Sequence, residues 1–232
     1  MYFAIQQEHR KLMVTVSSEI EKIMKEAPEI NLYDNVSWQD VKELARQSAP
    51  AVWLDVHQYI PETAFTAATP EIKAYAQQSF KTGVSMFDAT RHLMQRIYHD
   101  FEFKPGFTTI STPLSEVMKA RKGVCQDFAH LAIACVRSIG LPARYISGYL
   151  ETMPPPGKEK LAGADASHAW FSVYIPYRGW IDFDPTNNQI PSAQHITVCW
   201  GRDYADIAPL KGVIINSGPH ELSVSVDVKR IY

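Results

Sequence analysis

Residues 121–139 read RKGVCQDFAHLAIACVRSI and combine a glycine turn, a cysteine and a long apolar run. From residue 124 onward the run is apolar on most sides, and Gly140 with Pro142 stops it, so the pattern predicts a central, buried helix over 124–139. Cys125 then lies in the first turn of that helix. Unpaired backbone N–H groups and the positive end of the helix dipole favour a thiolate there. A small, buried, unreactive cysteine is the alternative interpretation.

The segments on either side of this helix differ in their periodicity. Helical spacing predicts helices near 38–47, 70–80, 86–100 and 112–121, with Ser37, Ser85 and Thr112 as the N-caps of the first, third and fourth. Apolar and polar residues alternate in the strand-like segments that follow residue 143: ARYISGYLE, HAWFSVYI, GWIDFD, HITVCW, GVIIN and ELSVSVDVKRI. A run of helices followed by a run of strands predicts an α+β fold, with an antiparallel sheet packed on the helices.

The domain organisation follows from length and from the N-terminal pattern. The chain has 232 residues, of which 46% are hydrophobic, enough to bury one sizeable core. Two short runs at 2–5 and 12–16 have strand character. We interpret residues 1–18 as edge strands or as the remnant of an N-terminal β-domain, and 19–232 as the main domain.

Charge and cysteine usage exclude several classes of protein. A formal net charge of −2 provides no basic excess for binding nucleic acid. Cys125, Cys135 and Cys199 form no disulfide framework and show no compact zinc-ligand spacing, and the sequence contains no acidic calcium loop. With neither a leader pattern nor a membrane-spanning apolar stretch, we expect a reduced, cytoplasmic protein without membrane partners, metal or cofactor. Cys135 and Cys199 lie within apolar runs, and we assign both to the core.

A histidine begins the strand SHAWFSVYI. His168 lies on the less apolar face of this strand, because side chains alternate between the two faces. The preceding loop, 152–166, is rich in proline and glycine. It is either a solvated connection or a mobile lid over a substrate.

Two carboxylates follow in GWIDFDPTNN. Asp182 and Asp184 share a face, and each could simply be a solvated side chain at a strand edge. A hairpin that pairs Ile175 with Gly179 puts both on the face of His168. Asp184 is then one diagonal step from the histidine and Asp182 is two residues further along the strand, so Asp184 is the better partner.

The motifs GVCQDFAH, SHAWF and GWIDFDPTN resemble those of the transglutaminase-like superfamily. GRDYADIAPLKG, at 201–212, is similar to the segment that follows the aspartate in bacterial members. The resemblance implies a papain-like α+β fold and a transglutaminase-like catalytic domain at 19–232. It also implies Cys125 as nucleophile, His168 as base and acid, and Asp184 as the group that orients His168.

The same resemblance implies thiol acyl transfer on peptide or side-chain amides of a peptide or protein substrate. We expect a cysteine protease or amidase, in which water is the acceptor. A protein transglutaminase, in which an amine is the acceptor, uses the same three residues, and a non-catalytic peptide-binding module retains only the fold. The sequence does not predict the oligomeric state.

Other polar residues near these motifs have structural alternatives. Asp127 lies in the first helical turn, where a carboxylate is stabilising without a catalytic role. His130 lies about 140° around the helix from the nucleophile, so packing or hydrogen bonding is its expected role. Arg202, Asp203 and Tyr204 either line the site or form a polar turn.

Overall fold

The computed structural model describes residues 4–22, 36–47, 51–152, 165–208, 212 and 223–231. Its helices are α1 (Trp38–Arg46), α2 (Ala51–His57), α3 (Pro70–Gln77), α4 (Met86–Asp100), α5 (Leu114–Ala120), α6 (Cys125–Ser138) and α7 (Tyr204–Ile207). Its strands are β1 (Glu102–Phe103), β2 (Lys122–Gly123), β3 (Ala143–Leu150), β4 (Ala166–Ile175), β5 (Gly179–Phe183) and β6 (His195–Gly201). None of the described helices is long and apolar enough to cross a bilayer.

Four strands form one sheet in the order β5-β4-β3-β6, and every neighbouring pair is antiparallel. Helix α6 packs on β3 and β4 and is surrounded by α3, α4 and α5. The strands β1 and β2 form a separate parallel pair. This architecture confirms the predicted α+β fold.

Helix α6 is the centre of the core, as its composition predicts. Its residues from Asp127 to Arg137 are all buried, and Phe128, Leu131 and Ile133 are among the largest fully buried side chains. Burying one such side chain contributes about 1.5–3 kcal/mol relative to leaving it exposed. Gly140, with φ of 84°, lies two residues beyond the helix in the left-handed conformation that glycine adopts most readily.

The predicted helix starts agree with the structure at two places and differ at a third. Ser37 and Ser85 cap α1 and α4, accepting hydrogen bonds from backbone N–H groups three residues later. Thr112, the predicted N-cap of α5, accepts instead from the Thr109 backbone at 2.9 Å. Its hydroxyl belongs to the preceding turn, so Pro113 becomes the N-cap. Helix α2 was not predicted.

The strands predicted in the N-terminal segment are not present among residues 4–22, which contain neither helix nor strand. Met13 and Val16 are 77% and 82% exposed. An alternating pattern does not make a stable strand without a partner strand and a face to bury, and within the described part of the chain residues 4–22 pair with no strand. Its assignment to an N-terminal β-domain stays a prediction.

Of the two strands predicted last in the chain, the first, GVIIN, lies outside the described residues apart from Gly212, as do residues 153–164 of the loop before His168. The second differs from the structure. Residues 223–231 form one isolated bridge, Val226 to Asp165, rather than a strand. Side chains hold this segment instead: Asp165 accepts from the Val228 backbone at 2.6 Å, and Arg230 pairs with Glu151 at 2.7 Å.

Candidate active site

Cys125 is the first residue of α6, and only the N-cap residue Val124 separates it from the strand β2. The backbone at Gly123 packs closely against the side chain of Asp127, since a Cβ added there would lie 2.9 Å from the carboxylate. Asp127 accepts hydrogen bonds from the Val124 backbone at 2.8 Å and from the Thr108 hydroxyl at 2.5 Å. The carboxylate therefore fixes the helix start that presents Cys125.

Asp127 and His130 have the structural contacts expected of them. Burial raises the pKa of Asp127, although its two hydrogen bonds oppose the shift. The ring of His130 stacks on Phe65 at 5.4 Å, and its Nε2 accepts from the Tyr204 backbone at 3.2 Å. Burial lowers the pKa of His130 to about 4, so this ring is neutral at ordinary pH.

The 201–212 segment forms a polar turn at its start. Asp203 caps α7 through a 2.7 Å bond from the Ala205 backbone, and Arg202 pairs with Asp206 at 2.9 Å. The Arg202 carbonyl accepts from Arg137. These contacts support the interpretation of Arg202 and Asp203 as parts of a polar turn.

His168 and Asp184 lie against each other beyond the β4–β5 ladder. The register pairs Ile175 with Gly179, as predicted, and the ladder ends at Phe171 and Phe183. The Nε2 atom of His168 donates to Oδ2 of Asp184 at 2.8 Å. Both side chains are buried, with exposed fractions of 6% and 0%.

Asp182 has a different partner. Its Oδ2 accepts from Nε1 of Trp170 at 3.0 Å, whereas Asp184 contacts His168. Of the two carboxylates that share a face, only Asp184 therefore has the geometry to orient the imidazole.

The carboxylate of Asp184 accepts five hydrogen bonds. Its Oδ1 accepts from the backbones of Thr186 and Asn187, at 2.9 and 3.2 Å. Its Oδ2 accepts from His168, from Nδ2 of Asn187 at 2.8 Å and from Nε2 of His195 at 2.9 Å. Burial alone would raise the pKa of Asp184, but these donors hold it well below its usual range.

Sequence reasoning did not identify Asn187 or His195. Asn187 follows the DPT turn, where an asparagine is typical of any loop, so its pattern carries no functional signal. His195 begins the strand HITVCW just as His168 begins SHAWFSVYI. This shared position at the start of a strand is the sequence signal by which His195 could have been identified.

The charge state of His168 depends on its two partners. Burial lowers the pKa of His168, but hydrogen bonds with Asp184 and with Cys125, together with their charges, raise it to about 9. Because Nε2 faces Asp184, Nδ1 is the nitrogen left for the thiol. The structure thus brings together all three predicted site residues in the order Cys125, His168, Asp184.

The other two cysteines lie away from this cluster. Burial raises the pKa of Cys135 to about 12, and its Sγ lies 3.8 Å from the Ile72 carbonyl oxygen. Burial also raises the pKa of Cys199, whose Sγ lies 4.0 Å from the Ile207 carbonyl oxygen.

The side chains of His168, Asp184 and His195 are also close enough to hold a cation, because their nearest ligand atoms all lie within 4.8 Å. The separations between Nε2 and Oδ2, 2.8 and 2.9 Å, are those of N–H···O hydrogen bonds. We therefore assign the cluster to hydrogen bonding.

Two neighbouring cavities, of about 250 and 230 Å³, lie beside the first turn of α6. Both are lined by Ile110, Gln126 and Asp127. Open space therefore lies next to the helical turn that carries Cys125.

Comparison with known proteins indicates the family to which the chain belongs. A family model described as the transglutaminase-like superfamily matches residues 73–185, which include all three predicted site residues. The chain is 41% identical over 236 residues to an uncharacterized protein of Mycobacterium tuberculosis, covering 98% of this chain and 73% of that protein. It is 30% identical over 103 residues to a protein-glutamine gamma-glutamyltransferase of Pseudomonas aeruginosa, covering 43% of this chain and 15% of that protein.

Among solved structures, a candidate cysteine protease from Cytophaga hutchinsonii superimposes with a TM-score of 0.56 at 30% identity, covering 66% of this chain. The chain spans about half of that protein, 49%. The fold, the family match and these relatives lead to one conclusion: the chain belongs to the transglutaminase-like superfamily.

Proposed function

We propose that the chain is a thiol acyl-transfer enzyme that cleaves peptide or side-chain amides, with Cys125 as nucleophile, His168 as base and acid, and Asp184 as the orienting carboxylate. The observation that carries the proposal is the 2.8 Å hydrogen bond from His168 to a fully buried carboxylate, on an imidazole whose pKa is raised in part by Cys125, the first residue of the buried helix. A nucleophile, a base and an orienting group in hydrogen-bond reach are the parts that covalent catalysis requires.

The acylation step follows from this arrangement. The Cys125 thiolate attacks the amide carbonyl carbon, and backbone N–H groups at the start of α6, including that of Cys125, stabilise the oxyanion. Imidazolium at His168 gives its proton to the leaving nitrogen as the C–N bond breaks, so an amine departs and a thioester remains. The elevated pKa of His168, about 9, keeps the ring protonated for this transfer at neutral pH.

The second step regenerates the enzyme. His168, now neutral, takes a proton from the acceptor as its oxygen or nitrogen attacks the thioester carbon. The C–S bond breaks, the thiolate returns and the proton remains on His168. Water as the acceptor gives a carboxylic acid, and a primary amine gives a new amide.

We place hydrolysis first, as the sequence resemblance does, and we keep transamidation as the alternative. The similarity to a candidate cysteine protease supports the first, and the shorter match to a gamma-glutamyltransferase supports the second. The contact among all three residues argues against a module that only binds peptides. A cytoplasmic location, expected from the cysteine pattern, stays a prediction.

The deciding experiment incubates the protein with a peptide library rich in glutamine, with and without a labelled primary amine, and identifies products by mass spectrometry. Products of hydrolysis that appear regardless of the amine support the protease or amidase. Incorporation of the label supports the transglutaminase. Cys125→Ala is expected to abolish either product, whereas the matched control Cys135→Ala is expected to retain it. An active Cys125→Ala protein would contradict the proposal.

A further inference from the structure

A second imidazole lies against the carboxylate of Asp184. His195, the first residue of β6, is 2% exposed, and its Nε2 lies 2.9 Å from the same Oδ2 that accepts from His168. The two imidazole ring centroids are 5.9 Å apart. One buried carboxylate oxygen therefore serves two histidines.

The second ring nitrogen of His195 shows where the proton lies. The backbone N–H of Ser192 points at Nδ1 of His195 over 3.4 Å, so Nδ1 acts as an acceptor. A neutral imidazole with its lone pair on Nδ1 carries its proton on Nε2, which then donates to Asp184. The contacts on both sides of the ring are those of a neutral donor.

A β-bulge brings His195 to this face of the sheet. Strand β3 pairs Ser147 with Cys199 but Gly148 with Thr197, a shift of one residue, and the ladder continues to Leu150 opposite His195. Without the shift, the residue opposite Leu150 would be 196. Side chains directly opposite each other share a face of the sheet. With the bulge, His195 rather than Ile196 therefore lies beside Asp184.

The surroundings of His195 hold it in place. The Trp170 ring meets it edge-on with centroids 5.2 Å apart. The Lys22 ammonium donates to the His195 carbonyl oxygen and to that of Ser192. Two titratable groups, Asp184 and His168, lie near the ring. Lys22 contacts the His195 backbone, Asp182 is hydrogen-bonded to Trp170, and Cys125 lies beyond His168.

We propose that His195 is a positioning residue of the site, which acts as a neutral hydrogen-bond donor to Asp184 and shares that carboxylate with His168. The inference rests on the proposed function, because it assigns His195 a place in that cycle. When His168 gives its proton to the leaving amine, fully buried Asp184 loses its cationic partner. An unpaired buried charge is costly, and His195 together with Asn187 continues to solvate it.

The proposed role of His195 requires that its ring is neutral. A second cation beside Asp184 would compete for the carboxylate and make His168 a weaker base. A neutral N–H dipole competes less, yet it still draws charge away from the imidazolium. Removing that dipole should therefore raise the pKa of His168.

The test is NMR titration of protein labelled with ¹⁵N-histidine, in a Cys125→Ala background and with a chelator present. His168 and His195 are assigned from the signals that disappear in their variants. We expect His195 to be protonated on Nε2 and not on Nδ1. We expect His195→Phe, which retains a ring but no donor, to raise the pKa of His168 by about half a unit or more. His195→Gln, whose amide N–H can replace Nε2, should leave it near the parent value.

A His168 pKa that does not move in His195→Phe, or a His195 proton on Nδ1, would overturn the inference. If the phenylalanine variant fails to fold, the tautomer in the parent protein and the glutamine variant still decide it. The titration uses protein without its nucleophile, so it does not depend on amide cleavage. Failure of the proposed function would instead appear as absent products from the Cys125-containing protein, with the titration unchanged.

Discussion

Cys125 and the two other cysteines differ in what surrounds each thiol. Cys125 begins a helix and contributes to the raised pKa of His168, whereas burial raises the pKa of both Cys135 and Cys199. We therefore expect iodoacetamide at about pH 6, below the roughly 8.5 of a free thiol, to label Cys125 well ahead of the others in native protein. Mass spectrometry of timed samples measures the three rates.

The matched variant for this prediction is His168→Ala, which should slow labelling of Cys125 because it removes the cation that stabilises the anion. Denatured protein is the control for intrinsic reactivity, and there the three cysteines should react alike. Native protein in which none reacts would make Cys125 a core residue and favour the binding module.

Asp184 and Asp182 form a natural pair for testing the orienting carboxylate. Asp184→Asn replaces the acceptor that meets Nε2 of His168 at 2.8 Å, and turnover should fall by about a thousandfold or more, as in other triads. Asp182→Asn changes the partner of Trp170 instead and should have a much smaller effect. Rates of amide cleavage, with circular dichroism as the folding control, measure both. Equal losses would contradict the assignment of Asp184.

The raised pKa of His168 also predicts how stability changes with pH. Its folded pKa of about 9 lies above the ordinary histidine value of 6.5, so its contribution is fully present below pH 6.5 and is lost as the pH rises through 9. The loss amounts to up to about 3 kcal/mol. Chemical denaturation at pH 6 and pH 10 should show a larger loss in wild type than in His168→Gln. Equal losses of unfolding free energy in the two proteins would contradict the raised pKa of His168.

At the scale of elements, the bulge between β3 and β6 depends on one glycine. A Cβ added at Gly148 would lie 2.0 Å from the Ile196 carbonyl oxygen and 2.7 Å from the Trp170 ring. Gly148→Ala should therefore separate the strands and lower the free energy of unfolding by about 2 kcal/mol or more. It should also reduce turnover, because the change displaces His195 on β6 and the Trp170 ring on β4, which contact each other beside Asp184.

Gly212→Ala is the matched control, since an added Cβ there meets nothing within 4 Å. Urea denaturation of both variants measures the difference. A Gly148→Ala protein as stable as the control would show that the two strands do not require this close approach.

The elements themselves were largely predictable because their patterns are local. Serine caps marked the starts of α1 and α4, and alternation marked β3 to β6. The predicted hairpin register placed both carboxylates on the face of His168 and put Asp184 nearer to it than Asp182. The N-terminal strands failed for the opposite reason: a strand depends on a distant partner, and residues 12–16 have none in the described structure.

At the scale of the whole molecule, one buried guanidinium joins segments that are far apart in sequence. Arg137 is 4% exposed and donates to the carbonyl oxygens of Tyr59, Ala143 and Arg202 and to the Thr66 hydroxyl. Burial lowers its pKa to about 10, yet it remains charged at neutral pH.

Arg137→Met should lower the free energy of unfolding by about 3 kcal/mol or more, because it leaves buried acceptors without donors. Arg91→Met is the matched control: that arginine is half exposed, its ion pair is with Asp88, and its loss should cost less than about 1 kcal/mol. Thermal denaturation of both variants measures the difference. Similar melting temperatures would mean that the Arg137 contacts are not structural supports.

The sequence by itself determined the α+β class, the central helix, the strand faces and the three residues that meet at the site. The class, the helix and the faces depend on spacing along short stretches of chain, and the three residues depend on motifs that resemble those of a known family. Only the tertiary structure decided that Asn187 and His195 complete the surroundings of Asp184 and that Arg137 joins four segments. The reason is physical: a one-residue bulge changes which side chain faces the site, and buried hydrogen bonds depend on partners brought together from distant positions, which no local pattern encodes.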